Sequence, residues 1–209
     1  MPRLLVFTRT AGYRHDSIPA GVAALSGLDG YAVDATEDPT ALRAARMSGY
    51  AALVFLSTSG EVLDQAGRDA LTGYMAAGGA WLGIHAASTT EYDWPWFGDL
   101  VGARFDQHPP VQEAAITVED RDHPATRHLG EQWTKYDEWY AFLGNPRPRV
   151  HVLLTVNETS YDGGTMGADH PVAWCHSNVG GRSFYTALGH TTESFAEPAF
   201  RRHLSGALS

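Results

Sequence analysis

Three short apolar runs, Leu4-Leu5-Val6-Phe7, Ala51-Ala52-Leu53-Val54-Phe55-Leu56 and Ala80-Trp81-Leu82-Gly83-Ile84, carry no polar alternation. Strands of that kind are covered on both faces, the condition of a parallel sheet with helices packed on either side. The first run leads through a polar segment to Ile18, Val22 and Leu25, one face of a helix that Asp16 or Ser17 is placed to cap. The second leads to Ala70, Leu71, Tyr74 and Met75, the inner face of a helix from Asp64 to Ala77. Tyr31-Ala32-Val33 reads as a further strand, and Asp38-Pro39 offers a cap and a first-turn proline for a helix from Thr40 to Met47. Gly78 fits the left-handed residue that stops a helix before the third run. Strand, loop and helix in this order require right-handed crossovers and a doubly wound α/β sheet.

After Thr90 the regularity breaks. Tyr92-Asp93-Trp94-Pro95-Trp96-Phe97 reads as a packed loop that covers a site. Ala114–Val118 and Val150–Val156 read as strands, the second antiparallel, and Asp122–Thr126 as a capped helical turn. Val179-Gly180-Gly181 joins Val172–His176 to Arg182–Thr186 as a hairpin, and Glu197-Pro198 opens a last helix with Phe200, Leu204 and Leu208 on one face. The 209 residues fit a single domain, 1–209, with a mainly parallel sheet and an antiparallel extension.

A net charge of -9 with no Lys/Arg cluster, and one lysine in the chain, argues against nucleic acid or an anionic membrane as partner. No apolar run nears the roughly 20 residues that span a bilayer, and no signal peptide precedes the first strand, so a cytoplasmic location is expected. The single cysteine, Cys175, excludes an internal disulfide and a cysteine-rich zinc site. Six Trp, nine Tyr and ten His suit a sugar or polyol pocket, the alternative being aromatic packing in the core.

Gly83-Ile84-His85-Ala86-Ala87 has the strand-to-turn shape of a nucleophile elbow without a nucleophile, and Cys175 lies inside an apolar strand pattern elsewhere. His15 and His190, like His85, stand where a strand passes into a loop. Ligands of open parallel sheets bind at that carboxyl edge, so the three imidazoles are expected in one pocket. They suit a divalent metal such as zinc, with Asp137, Glu138 or Asp169 as carboxylate partner, or direct hydrogen bonding to sugar hydroxyls. The alternative for His85 is a core histidine satisfied by a backbone carbonyl. Asp137 and Glu138 would point to opposite faces of a strand, so no more than one can face the site, where flanking rings would raise its pKa and suit it to acid–base work; the alternative is a solvated acidic edge. Arg14 is placed to hold an oxyanion or to pair with a carboxylate. At least one of Trp94 and Trp96 is expected to pack over the pocket mouth and stack on a sugar, and His170 to line the same cavity. His108, His123, His128, His151 and His203 read as structural. The catalytic candidates are therefore His85, His15, His190 and Glu138, and the substrate-binding candidates Arg14, Trp94, Trp96, Asp137 and His170.

Gly79–Ser88, Glu91-Tyr92-Asp93-Trp94-Pro95-Trp96, Asp137-Glu138-Trp139-Tyr140, Asp169–Trp174 and Gly180–Thr191, in this order, together resemble the ThuA-like (trehalose utilisation) family over nearly the whole chain. The resemblance implies a three-layer, flavodoxin-like fold of the class I glutamine amidotransferase kind. In true amidotransferases of that fold the centre of a Gly-x-Cys-x-Gly turn is the nucleophile. Here His85 holds the central position and Ala87 the final one, which removes glutamine hydrolysis. Members are associated with bacterial use of trehalose and related disaccharides, often beside dehydrogenases that make 3-keto sugars. The resemblance thus implies an isomerase or lyase on keto-disaccharides, with a sugar-binding or regulatory protein as the competing expectation. The partner in both cases is a small-molecule sugar, and a homo-oligomer is compatible with either.

Overall fold

The computed structural model describes the backbone of residues 1–209 and every side chain but that of Ala45. In chain order the elements are β1 (Arg3–Phe7), α1 (Ile18–Ser26), β2 (Ala32–Thr36), α2 (Ala44–Met47), β3 (Ala52–Leu56), α3 (Gln65–Ala76), β4 (Ala80–Ile84), α4 (Pro95–Val101), β5 (Phe105–Gln107), β6 (Gln112–Val118), β7 (Gln132–Asp137), β8 (Ala141–Phe142), β9 (His151–Val156), β10 (Pro171–His176), β11 (Arg182–Thr186) and α5 (Pro198–Ala207). Nine strands form one sheet in the order β2-β1-β3-β4-β11-β10-β9-β6-β7. The first five in that order run parallel. The remaining four join antiparallel, and β5 and β8 make a separate antiparallel pair. The fold is α/β, with a mostly parallel central sheet extended by antiparallel strands. Among the described residues no helix is long and apolar enough to cross a membrane.

Register sorts the core into two faces. Val6, Val54, Leu82 and Phe184 share one row, and Leu5, Leu53, Trp81 and Ser183 the next, on the opposite face. On the first face lie α1, where Gly21 abuts Leu56, and α5, whose His203 ring is 5.5 Å from that of Phe184. On the second, Phe97 of α4 meets Phe55 at 5.7 Å and Trp81 at 5.9 Å. Burying each such ring contributes roughly 1.5–3 kcal/mol. Gly83 has a steric reason within this face: a Cβ there would lie 2.2 Å from the Trp81 ring, which occupies the space above it.

Several local expectations change. The helix expected over Thr40–Met47 is a 3-10 turn at Pro39–Ala41, capped by Asp38, followed by the short α2. Arg43 between them is extended (φ -124°), which buries Leu42 completely and brings the guanidinium to Asp64 at 2.6 Å. Ser17 is the N-cap of α1 by position, yet its hydroxyl donates instead to the Gly189 carbonyl at 3.2 Å. Asp120, not Asp122, organises the turn after β6 by accepting from the Asp122 and His123 amides.

Candidate active site

The exit loops of β1, β3 and β4 are laced together by backbone. Ala11 and Gly12 donate to the Ser59 carbonyl, the Gly60 amide to Thr89, and the Glu91 amide back to Gly60. Gly60 is required here: its φ is +72° and a Cβ would lie 2.8 Å from the Gly12 nitrogen. Side chains add to the lacing, with Ser59 Oγ donating to the Tyr13 carbonyl at 2.6 Å and Thr58 and Thr90 hydroxyls 2.7 Å apart.

Above this platform His15, His85, His190 and Glu138 converge. His85 sits just past β4 with φ +52°, a left-handed turn that L-residues rarely adopt. Its Nδ1 is 2.7 Å from the Ala187 carbonyl oxygen, and a carbonyl only accepts, so Nδ1 carries the proton and Nε2 presents a lone pair. Around that lone pair stand His15 Nε2 at 3.1 Å, His190 Nδ1 at 3.2 Å and Glu138 Oε2 at 3.4 Å. Glu138 Oε2 is also 3.1 Å from His190 Nδ1, and its other oxygen is 3.0 Å from His108 Nδ1. The ligand atoms of the four residues lie within 4.8 Å of one another, a geometry that could hold a metal ion.

His15, His190 and Glu138 line a cavity of about 430 Å³ together with Gly12, Tyr13, Ser59, Ala86, Thr89, Phe105, His108 and Tyr140, while His85 lies fully buried directly behind them. Tyr140 is the packed floor, its ring 4.3 Å from that of His85, whereas Tyr13 is 69% exposed and stands at the rim. A larger cavity, about 520 Å³, opens at the other end of the parallel strands over Leu4, Leu82 and Phe184, but no cluster of metal-binding side chains converges there among the described residues.

Charge is arranged unevenly. Burial, helped by the charges of His85 and His190, pushes the His15 imidazole down to about 3, so it is neutral at pH 7. Burial pushes the Glu138 carboxyl up, but the hydrogen bond from His190, together with the neighbouring His85 imidazole, outweighs it and holds the group well below the ordinary carboxylate range. The hydrogen bond with Glu138 raises His190, against burial. The expectation that rings would raise the pKa of Glu138 is therefore reversed, because histidines, not only aromatic rings, surround it.

His15, His85, His190 and Glu138 are brought together, and five other candidates stand apart. Asp137 lies beneath the site: its carboxylate accepts from the Gly189 and His190 amides (2.9 Å each) and from Ser194 Oγ (3.1 Å), which fixes the loop that carries His190. Arg14 points to the exterior and pairs with Glu37 at 2.7 Å. His170 is buried between Glu158 (2.8 Å) and the Tyr140 carbonyl (2.8 Å). Trp94 and Trp96 do not reach the cavity; they stack on each other at 4.8 Å, with the Arg68 guanidinium over Trp94. Pro95 starts α4 directly between them, and Arg104 ties down the carbonyls of Thr90 and Glu91, so the aromatic segment packs on the sheet. Asp169 is taken by Arg147. In the other direction His108, read as structural, and Tyr13, Phe105, Tyr140 and Ser59 line the cavity. Tyr13 had a signal, its place beside His15 in a strand exit loop. His108 had none, because β5 reaches the site only by pairing Phe105 with Phe142.

The ThuA family profile, described as trehalose utilisation, matches residues 3–209. A ThuA-like protein of Bacteroides uniformis superposes with a TM-score of 0.82 at 28% identity, over 99% of this chain and 89% of that one. One from Parabacteroides merdae does so at 0.78 and 17% identity, over 99% and 90%. A protein of Salmonella typhimurium described as cytoplasmic shares the fold at 0.70 and 10% identity, over 100% and 98%. A comparison with curated protein sequences finds no match. With the profile matched from the first strand to the end of the last helix, the chain belongs to the ThuA family.

Proposed function

We propose that this protein is a cytoplasmic enzyme of carbohydrate metabolism, an isomerase or lyase that acts on a 3-keto disaccharide related to trehalose. The observation that carries the reading is the convergence of three imidazoles and one carboxylate, of which His15, His190 and Glu138 line a cavity with an aromatic rim. Its volume lies within the roughly 300–1,000 Å³ of small-molecule sites. Tyr13 and Phe105 offer ring faces to the C–H side of a sugar, and Ser59, Thr89 and the histidines offer partners for hydroxyls. The family's link to trehalose supports the substrate class.

A 3-keto sugar has acidic C–H bonds at C2 and C4. A side chain of the cluster takes one such proton while the bonding electrons move onto the carbonyl oxygen, and neighbouring donors hold the enolate. Return of the proton to the former carbonyl carbon, as the adjacent hydroxyl becomes the new carbonyl, isomerises the sugar. Departure of the C1 oxygen with its electron pair, protonated as it leaves, breaks the glycosidic bond instead. The strand order β2-β1-β3-β4-β11 supports a flavodoxin-like, amidotransferase-like classification of one domain, with His85 in the place of the nucleophile. Incubation with trehalose and with 3-keto-trehalose, followed by NMR, checks the reading. A rearranged or cleaved product from the keto sugar is expected; tight binding of the sugar with no product would leave a binding protein in its place.

A further inference from the structure

Four other buried or half-buried histidines show how this chain satisfies an imidazole. His128, His170, His176 and His203 each set a ring nitrogen 2.8–3.0 Å from a backbone carbonyl. His85 follows the same pattern with Nδ1 only. Its Nε2 and the near nitrogens of His15 and His190 are turned toward one another and toward Glu138. One N–H can point along the His85 lone pair, not two, so protons alone leave part of this contact set unmatched.

We propose that His15 Nε2, His85 Nε2, His190 Nδ1 and a Glu138 oxygen bind one divalent first-row transition-metal ion. Four donors about 2.0–2.1 Å from an ion in tetrahedral array lie about 3.3 Å from one another. The contacts around His85 Nε2 and Glu138 Oε2 measure 3.1, 3.2, 3.4 and 3.1 Å. The rings of His15 and His85 cross at 86°, of His15 and His190 at 90° and of His85 and His190 at 71°, as rings do when their nitrogens aim at a common point rather than stack. Nitrogen and carboxylate donors together suit zinc, manganese, iron, cobalt or nickel.

The supporting shell fixes three of the four ligands, while His15 Nδ1 is buried without a partner. The Ala187 carbonyl selects the His85 tautomer with a free Nε2 lone pair, Asp137 grips the backbone of His190, and His108 takes the Glu138 oxygen that faces away from the cluster. The cavity supplies an open side, so the ion would be of the reactive rather than the closed structural kind. The site stands on the cluster alone. If the proposed sugar chemistry holds, the carbonyl and a neighbouring hydroxyl of the substrate would complete the ion's shell from that side.

Protein purified without an affinity tag and stripped with a chelator is titrated with Zn²⁺ by calorimetry and with Co²⁺ by visible absorption. The expected result is one ion per chain with a Kd tighter than about 10 µM, and an intense Co²⁺ spectrum of a four- or five-coordinate ion. His190→Ala and Glu138→Gln, checked for native fold by circular dichroism, should each weaken Zn²⁺ binding by more than the about 10–100-fold that loss of a supporting partner causes. Asp137→Asn should fall within that range, and His151→Ala, which alters an exposed histidine paired with Asp120, should change nothing. Absence of stoichiometric binding at that affinity, or wild-type affinity in either His190→Ala or Glu138→Gln, overturns the proposal. Metal binding without sugar turnover would overturn the reaction and leave the site standing; turnover by protein that binds no ion would do the reverse.

Discussion

His85 meets two demands that normally compete. One ring nitrogen is satisfied by a carbonyl, as in any core histidine, and the other is delivered to His15, His190 and Glu138. The left-handed turn that makes this geometry costs about 1–3 kcal/mol, offset by Tyr185, whose hydroxyl donates to the His85 carbonyl at 2.8 Å. Asp137 acts one layer down. It is fully buried, Lys135 Nζ is 3.6 Å away, and it holds two amides of the His190 loop. Asp137→Ala leaves those amides unpaired and Lys135 with Glu197 as its remaining carboxylate, so a loss of about 3 kcal/mol is expected in urea unfolding; a loss under about 1 kcal/mol would show that the loop is held otherwise. Cys175 is half-buried in β10, outside the residues that line the active cavity, and burial raises its thiol pKa. Cys175→Ser should keep turnover within severalfold, and its abolition in a folded variant would place the cysteine in the chemistry.

The loops, more than the strands, make the site. Three exit loops hydrogen-bonded to one another put His15 and His85 at fixed separation, and Gly60 is where they press closest. Gly60→Ala should cost about 1–3 kcal/mol, or roughly 2–12 °C in Tm for a chain of this size, and should lower turnover as the His15 loop is displaced. Unchanged thermal unfolding would mean that the lacing is not needed. The parallel strands were legible in the sequence because unalternated apolar runs and punctuating glycines are local signals. Gly78, with φ +87°, stops α3 as expected. What the sequence concealed is non-local: the break at Arg43, the diversion of Ser17 from capping to Gly189, and above all the β5–β8 pairing that brings in His108. Trp94 and Trp96 were misplaced because their composition is equally suited to a sugar platform and to packing, and Arg104, which decides between them, comes eight residues after Trp96.

Taken as a whole, the molecule gathers its histidine–carboxylate cluster at the carboxyl edge of the parallel strands, and its acid sensitivity is shared between His15 there and a second buried histidine away from the site. His203 of α5 is fully buried, with Nδ1 on the Ala125 carbonyl and Nε2 unpartnered. Burial pushes it down to about 3, against the unfolded value of about 6.5. Between those values the unfolded chain binds a proton that the folded chain refuses, so stability is complete above pH 6.5 and falls as pH drops toward 3, at up to about 1.4 kcal/mol per unit. From pH 7 to pH 5 the wild type should lose about 2 kcal/mol more than His203→Gln; parallel losses would assign the acid sensitivity to other groups. The convergence of His15, His85 and His190 was legible because a doubly wound sheet collects strand ends at one edge, whereas the partition of Asp137 to support and Glu138 to the cavity required the folded loop. Exchange of the protons beside the carbonyl of 3-keto-trehalose, followed by NMR in D₂O, reads the chemistry of that cavity before any later step. Wild-type protein should catalyse the exchange, His15→Gln and Glu138→Gln should each slow it by at least about a hundredfold, and Trp94→Ala should leave it unchanged. Exchange at the wild-type rate in both cavity variants, or none with the wild type, would contradict the assignment.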